Sequence, residues 1–281
     1  MSRLSVESIV EAVNDLPALP HIAVRVMELS ENPDSTAEDI SKVLNQDQGM
    51  TARVLRLANS AYYGFPRRIS TITDAIVFLG FKTIRSIVLA VSVSDILNQE
   101  MEGYALEYGE LWKHSQCSAM AARLIAKKAK FGIVDLAYTA ALLHDIGKVI
   151  LNNFIKDAYH EVVDKIDEDN SSFIEAENQV LGFNHAVVGS RVAEKWNLPP
   201  ELVEAIALHH DPGKAEINKR LTAIVHLADA LCVMMGIGIG IDGMLNPISE
   251  EAVTLLEFSE KDIEGIISEL VDAFSDQQSF N

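Results

Sequence analysis

The chain has 281 residues, 48% of them hydrophobic and 23% charged, with a formal net charge of −18. That apolar content excludes a disordered chain and permits one large domain, or two intimate ones, with a sizeable core. The acidity speaks against duplex DNA and an anionic membrane surface as default partners, because both demand a surplus of Lys and Arg.

The segment from Met1 to Glu7 lacks the apolar core of a secretory signal. The longest uncharged apolar run, Leu231 to Ile241, falls well short of the roughly 20 residues that span a bilayer. Cys117 and Cys232 are too few and too distant in sequence for a disulfide framework or a thiolate zinc site. They read as buried thiols in a reducing compartment, and the chain as cytoplasmic.

In chain order, Asp34-Ser35-Thr36-Ala37-Glu38 predicts a capping box, with Ile40, Val43 and Leu44 following at helical spacing. Met50, Val54, Leu55 and Leu57 form a second stripe that ends near Asn59-Ser60. Tyr62-Tyr63-Gly64-Phe65-Pro66 then breaks the helix. Thr73 is placed to cap the next one, which carries Ile76, Val77 and Leu79 and, beyond Gly80, Ile84, Ile87 and Val88. A shift in composition falls near 99–103.

Later helices are expected at about 110–129, 136–151, 159–181, 185–196, 200–210 and 219–234, with Pro199-Pro200 as a stop and restart. Gly236-Ile237-Gly238-Ile239-Gly240 follows a helix and lacks a Lys-Ser/Thr pair, so it reads as a flexible loop, not a phosphate cradle. Two short acidic helices close the chain. No alternating strand pattern appears, so the fold class is all-α. The expected division is 1–100, a helical N-terminal subdomain; 101–240, a histidine-bearing subdomain; and 241–281, an acidic helical tail with ten carboxylates and one lysine.

Seven of the eight histidines lie after residue 110, and the chemistry gathers there. His144-Asp145 stands in Ala140-Ala141-Leu142-Leu143-His144-Asp145-Ile146-Gly147-Lys148. On one helix the two side chains project about 100° apart, and both reach a metal seated beside its end. Imidazole with carboxylate suits Zn, Mn, Fe or Ni rather than Ca. Glu110 and His114 share a helix face, although a solvated helix pair gives the same spacing. His185 opens a helix and His209-His210 close another, where they could simply complement its dipole. Asp229 lies in the apolar string Ala223 to Leu231. Burying it unpartnered costs several kcal/mol, so a metal or strong hydrogen bonds are expected, with His226 as a structural neighbour.

The order His114 … His144-Asp145 … Asp229 resembles the HD superfamily of metal-dependent phosphohydrolases, an all-helical fold. Glu110, His185, His209 and His210 match the extended ligand set of its HD-GYP branch, which cleaves cyclic dinucleotides. The segment after His210 is Asp211-Pro212-Gly213-Lys214, without the Gly-Tyr-Pro signature. Four further strings resemble the HDOD family, the HD-related output domains of bacterial signalling, over roughly residues 6–235. They are Leu16-Pro17-Ala18-Leu19-Pro20, Asp47-Gln48-Gly49-Met50-Thr51, Leu57-Ala58-Asn59-Ser60-Ala61-Tyr62-Tyr63 and Ala75-Ile76-Val77-Phe78-Leu79-Gly80.

The resemblance implies a regulatory role, usually without demonstrated catalysis and often with ligands lost. This chain keeps the set. His114, His144, Asp145 and Asp229 are then expected to hold one divalent transition metal (Fe, Mn, Ni or Zn), with Asp145 bridging to a second held by His185, His209 and His210. Glu110 is an added ligand. Asp145 and Lys148 are the candidate catalytic residues, Lys148 neutralising a phosphate; its alternative is a solvated cation.

Two readings follow: a signalling module that retains a di-metal site and acts through a protein partner or small nucleotide ligand, or an active metal-dependent phosphodiesterase on a nucleotide or cyclic nucleotide. For the first, residues 47–90 have four more cations than anions, and Tyr62, Tyr63 and Phe65 lie among Arg53, Arg56, Arg67, Arg68, Lys82 and Arg85. These form either a contact patch or core aromatics beside a solvated face.

Overall fold

The computed structural model describes residues 18–60, 63, 68–169, 171–238, 240 and 247–278. Among them all regular structure is helical, apart from one antiparallel bridge between Met101 and Leu106. The all-α class holds. The chain forms two compact units, Ala18–Asp95 with the residues from Ile267 onward, and Ile96–Ile266.

The first unit opens with α1 (His21–Glu31), α2 (Ala37–Leu44) and α3 (Gln48–Ala58), followed by α4 (Ile72–Leu97), whose last two residues belong to the second unit. The capping box sits two residues later than Asp34. Thr36 accepts from the Asp39 backbone N–H, and the Asp39 carboxylate accepts from the Thr36 N–H. Asp39 is the third helical residue, as the reciprocal geometry requires. Asp47 caps α3 by accepting from the Met50 N–H at 2.9 Å.

Thr73 is not the cap of α4. Thr71 accepts from the Asp74 N–H at 3.1 Å, and the Thr73 hydroxyl donates to Ser41 at 3.2 Å instead. The expected break at 62–66, with Tyr62, Phe65 and Arg67, lies outside the described residues except for Tyr63, which packs half-buried on the core.

That core is apolar, built from Val26, Ile40, Leu44, Val54, Ile72, Ile76, Ile84, Ile87 and Val88. By length and composition α4 could cross a bilayer. Gly80 (φ 81°) breaks its helical path, however, and its apolar stripe fills this core. Val77 and Phe78 stay outside it, 69% and 59% exposed. Two of the basic side chains are committed within the unit, Arg53 to Asp95 and Arg85 to Glu31.

The second unit contains α5 (Glu110–Lys128), α6 (Val134–Leu143), α7 (Gly147–Asp157), α8 (Tyr159–Asp169), α9 (Phe173–Leu181), α10 (His185–Lys195), α11 (Pro200–Leu208), α12 (Lys219–Met234) and α13 (Glu250–Leu256). The last helix, α14 (Glu260–Gln278), begins here and ends in the first unit. Two expected helices are each divided. The 136–151 segment breaks at His144–Ile146 between α6 and α7. The 159–181 segment breaks before Ser172, which starts α9 with a second capping box, closed by Glu175. Helix α12 is buried along every face from Leu221 to Cys232, so Asp229 lies in the interior as its apolar string implied. It packs on α5, α6, α11 and α13, while α10 packs on α7 and α11.

Candidate metal centre

Three junctions and two helices deliver the polar side chains. His144 and Asp145 do not share a helix. They occupy the tight connection between α6 and α7, and Gly147 allows it. A Cβ there would lie 2.0 Å from the His185 carbonyl oxygen, so only glycine lets α7 start against the first residue of α10. His185 follows the Asn184 cap of α10, His209-His210 follow the end of α11, and His114 and Asp229 project from α5 and α12.

Four imidazoles are held alike. Their Nδ1–H groups donate to an acceptor behind the ring: Ile237 O for His114 (3.0 Å), Ala141 O for His144 (2.7 Å), Ile206 O for His209 (2.8 Å) and the Glu177 carboxylate for His185 (2.7 Å). A carbonyl only accepts, so the proton sits on Nδ1 and Nε2 points the other way. All four Nε2 atoms turn toward Asp145. Its Oδ2 lies 3.4 Å from His144 and 3.7 Å from His114; its Oδ1 lies 3.4 Å from His185 and 3.9 Å from His209. Asp229 Oδ1 stands 3.1 Å from His114 Nε2 and 3.5 Å from His144 Nε2. His210 Nε2 stands 2.9 Å from His185 Nε2.

The donors therefore form two sets, His114-His144-Asp229 and His185-His209-His210, with one oxygen of Asp145 facing each. Lys148 Nζ lies 2.6 Å from Asp145 Oδ2 and is almost wholly buried. Glu110 is in none of the three-donor groups that close to within 4.8 Å. It starts α5, half-buried, with its carboxylate 3.4 Å from Lys113. His226 is consumed by backbone: its Nδ1–H donates to His209 O at 2.8 Å and its Nε2 accepts from the Ser249 N–H at 2.9 Å.

The electrostatics are those of a cation site. Burial opposes ionisation of Asp145, but His144, Lys148, His185 and His114 hold its carboxyl well below the usual range. Asp229 is likewise held down against burial, chiefly by the His114 and His144 imidazoles beside it. Burial also opposes charge on His114, yet Asp229 lifts its ring to about 9. His209 goes the other way, driven well below its ordinary value by burial and the neighbouring imidazoles, and His210 falls to about 3 for the same reasons.

Two buried nitrogens, His144 Nε2 and His209 Nε2, have no hydrogen-bond partner. An orphaned buried acceptor costs about 1–3 kcal/mol, and here both lone pairs face a carboxylate that cannot donate. A divalent cation between them resolves this by taking both lone pairs. The nitrogen and oxygen donors fit one, and groups of three come within 4.8 Å of one another.

A family profile for the HDOD domain matches residues 16–212. The chain belongs to the HDOD family. An HDOD domain protein of unknown function from Geobacter sulfurreducens superposes with a TM-score of 0.76 at 28% identity, over 97% of this chain and 96% of that one. A presumed phosphohydrolase from Shewanella amazonensis SB2B gives 0.72 at 27% identity, over 94% and 93%. An uncharacterised Treponema pallidum (strain Nichols) protein is 27% identical over 79% of this chain and 43% of its own length. Ribonuclease Y of Clostridium perfringens (strain SM101 / Type A) is 31% identical over 46% of this chain and 19% of its own. The chain thus spans under half the length of these two curated relatives.

Several parts of this HDOD site escape a motif-based reading. Glu177 and Tyr104 stand behind His185. A carboxylate four residues after Phe173, on the apolar face of α9 with Ala176 and Leu181, was the available signal for Glu177. The glycine segment read as flexible instead seats His114. Ile237 O receives its Nδ1–H, and a Cβ on Gly238 (φ +60°) would lie 2.6 Å from His114 Cβ. Cys117 and Cys232 are both buried free thiols, as expected, and meet one turn below His114 and Asp229. A cleft of about 1060 Å³ reaches the site at His210, with Asn178, Asn184, Lys214 and Ser249 on its walls.

Proposed function

We propose that the chain is a bacterial signalling module of the HDOD type whose second unit binds two divalent transition-metal ions and acts through a ligand or protein partner. The observation that carries this is Asp145, which turns one buried oxygen to each of two histidine sets while two imidazole nitrogens beside it lack any partner. His114, His144, Asp229 and Asp145 Oδ2 would hold one ion, and His185, His209, His210 and Asp145 Oδ1 the other. This assignment leaves Glu110, 3.4 Å from Lys113, out of both. Equilibrium dialysis of the full chain against Mn, Fe, Ni or Zn, with metal analysis, tests the reading. The expected result is two ions per chain, lost in His144→Ala and Asp145→Ala; a chain that takes up none overturns it.

A second reading, a metal-dependent phosphodiesterase, is favoured by the cleft that ends at His210 and by the Ribonuclease Y similarity. Bound metal would supply a water acidic enough to attack at neutral pH and would draw charge from a phosphoryl oxygen. This chain's own contribution would be to keep His209 and His210 neutral, to hold Asp145 ionised and to keep Lys148 beside it. Lys148 would shift between Asp145 and a phosphate oxygen. Cyclic dinucleotides, cyclic nucleotides, short RNA and a bis-aryl phosphate with added Mn, Fe or Ni form the discriminating screen. Metal-dependent cleavage abolished in Asp145→Ala establishes the enzyme.

Without cleavage, attention passes to the first unit, where Arg56 and Arg68 flank a separate hollow of about 910 Å³ beside Asn59. A protein partner captured by the full chain and lost when both arginines are reversed to Glu supports the docking role.

A further inference from the structure

Four of the five site imidazoles are oriented alike but not by like acceptors. Three rest on neutral backbone carbonyls; His185 alone rests on a carboxylate. Glu177 is fully buried, and an unpartnered carboxylate at such a depth would cost several kcal/mol. It is saturated by three donors: the His185 backbone N–H (3.1 Å) and Nδ1–H (2.7 Å) on Oε2, and the Tyr104 hydroxyl on Oε1 (2.6 Å).

Tyr104 is itself fully buried, with its hydroxyl on the Glu177 carboxylate. It is carried by the short turn Glu102–Tyr104, which Gly103 lets approach α7: a Cβ at Gly103 would lie 2.2 Å from Asn152 O. Its ring stands edge-on to His185 at 6.5 Å, and Lys148 Nζ lies 5.7 Å from its centroid. One phenol thus touches the acceptor, the imidazole and the lysine together.

We infer that Glu177 and Tyr104 are positioning residues for His185: the carboxylate fixes the ring proton on Nδ1, aims Nε2 at Asp145 Oδ1 and strengthens this one nitrogen as a metal donor, while Tyr104 fixes the carboxylate. The inference rests on the metal-site reading above. An anionic acceptor behind a ligating imidazole makes it a stronger donor than a carbonyl does, and removing such a partner typically weakens metal affinity 10- to 100-fold. The His185-His209-His210 ion therefore depends on Glu177, whereas the His114-His144-Asp229 ion does not.

The test uses the full chain as wild type, Glu177→Gln and Tyr104→Phe. The Gln variant keeps shape and an acceptor while removing charge; the Phe variant removes one oxygen and serves if the first fails to fold. Manganese titration with metal analysis should show one of the two ions weakened about 10- to 100-fold in Glu177→Gln, less in Tyr104→Phe, and the other unchanged. Ring 15N–1H spectra of metal-free protein should show a far-downfield His185 Nδ1–H that moves upfield in both variants. Two ions of unaltered affinity with an unmoved resonance overturn the inference alone, as does equal weakening of both ions, the mark of general structural damage. A wild type that binds no metal overturns the metal-site reading and the inference with it.

Discussion

The two units bury very different things. Among the described residues of Ala18–Asp95 the buried polar side chains are only Ser41, Thr83 and Ser86, so that unit is held by the hydrophobic effect and close packing. The Ile96–Ile266 unit buries His114, His144, Asp145, Lys148, Glu177, His185, His209, His226 and Asp229. Such a cluster is poor evidence for stability, since desolvation offsets most of the Coulombic gain. A fold that needed only an interior would fill it as the first unit does. A cost concentrated at one place in one unit marks where function resides.

The contrast can be broken most forcefully at Asp145. Asp145→Ala strands Lys148 and four imidazoles, and the expected outcome is about 3–5 kcal/mol of destabilisation together with loss of both ions, read by chemical unfolding and metal analysis. Ile87→Ala in the first unit should cost about 2–5 kcal/mol through cavity formation while metal content per folded chain stays at the wild-type level. Equal metal loss in the two variants would erase the distinction between the units.

Gly238→Ala should cost about 1–3 kcal/mol, because alanine at φ +60° is strained and its Cβ meets His114. Metal affinity should fall with stability, since the same segment holds the His114 ring. Thr36→Ala, which opens the α2 capping box, should cost about 1 kcal/mol in thermal unfolding and leave metal content untouched.

The most informative effect is in pH. In the metal-free protein His210 resists protonation down to about 3, while the unfolded chain takes that proton near 6.5. Between those values the unfolded state binds more protons, so stability rises with pH. His114 is displaced upward to about 9, so above 6.5 the folded state holds the extra proton and stability falls as pH climbs. Denaturant midpoints measured across pH should therefore peak near 6.5. Because metal must displace the His114 proton, uptake below about 9 should release protons, detectable by calorimetry in buffers of different ionisation enthalpy.

Much of the site was legible one residue at a time. His114, His144, Asp145, His185, His209, His210 and Asp229 are types that ligate metals, and Asp229 announced itself by standing in an apolar string. The helical class followed from apolar spacing, because periodicity is local. What failed was decided by packing between elements. Thr71 and Thr73 are indistinguishable as caps until packing sends one hydroxyl to Ser41. Nothing in the string Leu136 to Leu151 marks a helix break except the need of Gly147 to meet α10.

Sequence alone thus determined the all-helical class, the apolar cores and a metal-ligating vocabulary, since these depend on side-chain chemistry and on spacing within single helices. Only the tertiary structure decided which donors meet, that Asp145 faces two sets, that Glu110 stays with Lys113, and that Glu177, Tyr104 and Ile237 O stand behind the imidazoles. Those relations join residues up to 123 positions apart, and a hydrogen bond 3 Å long is set by how helices pack, which no local pattern encodes.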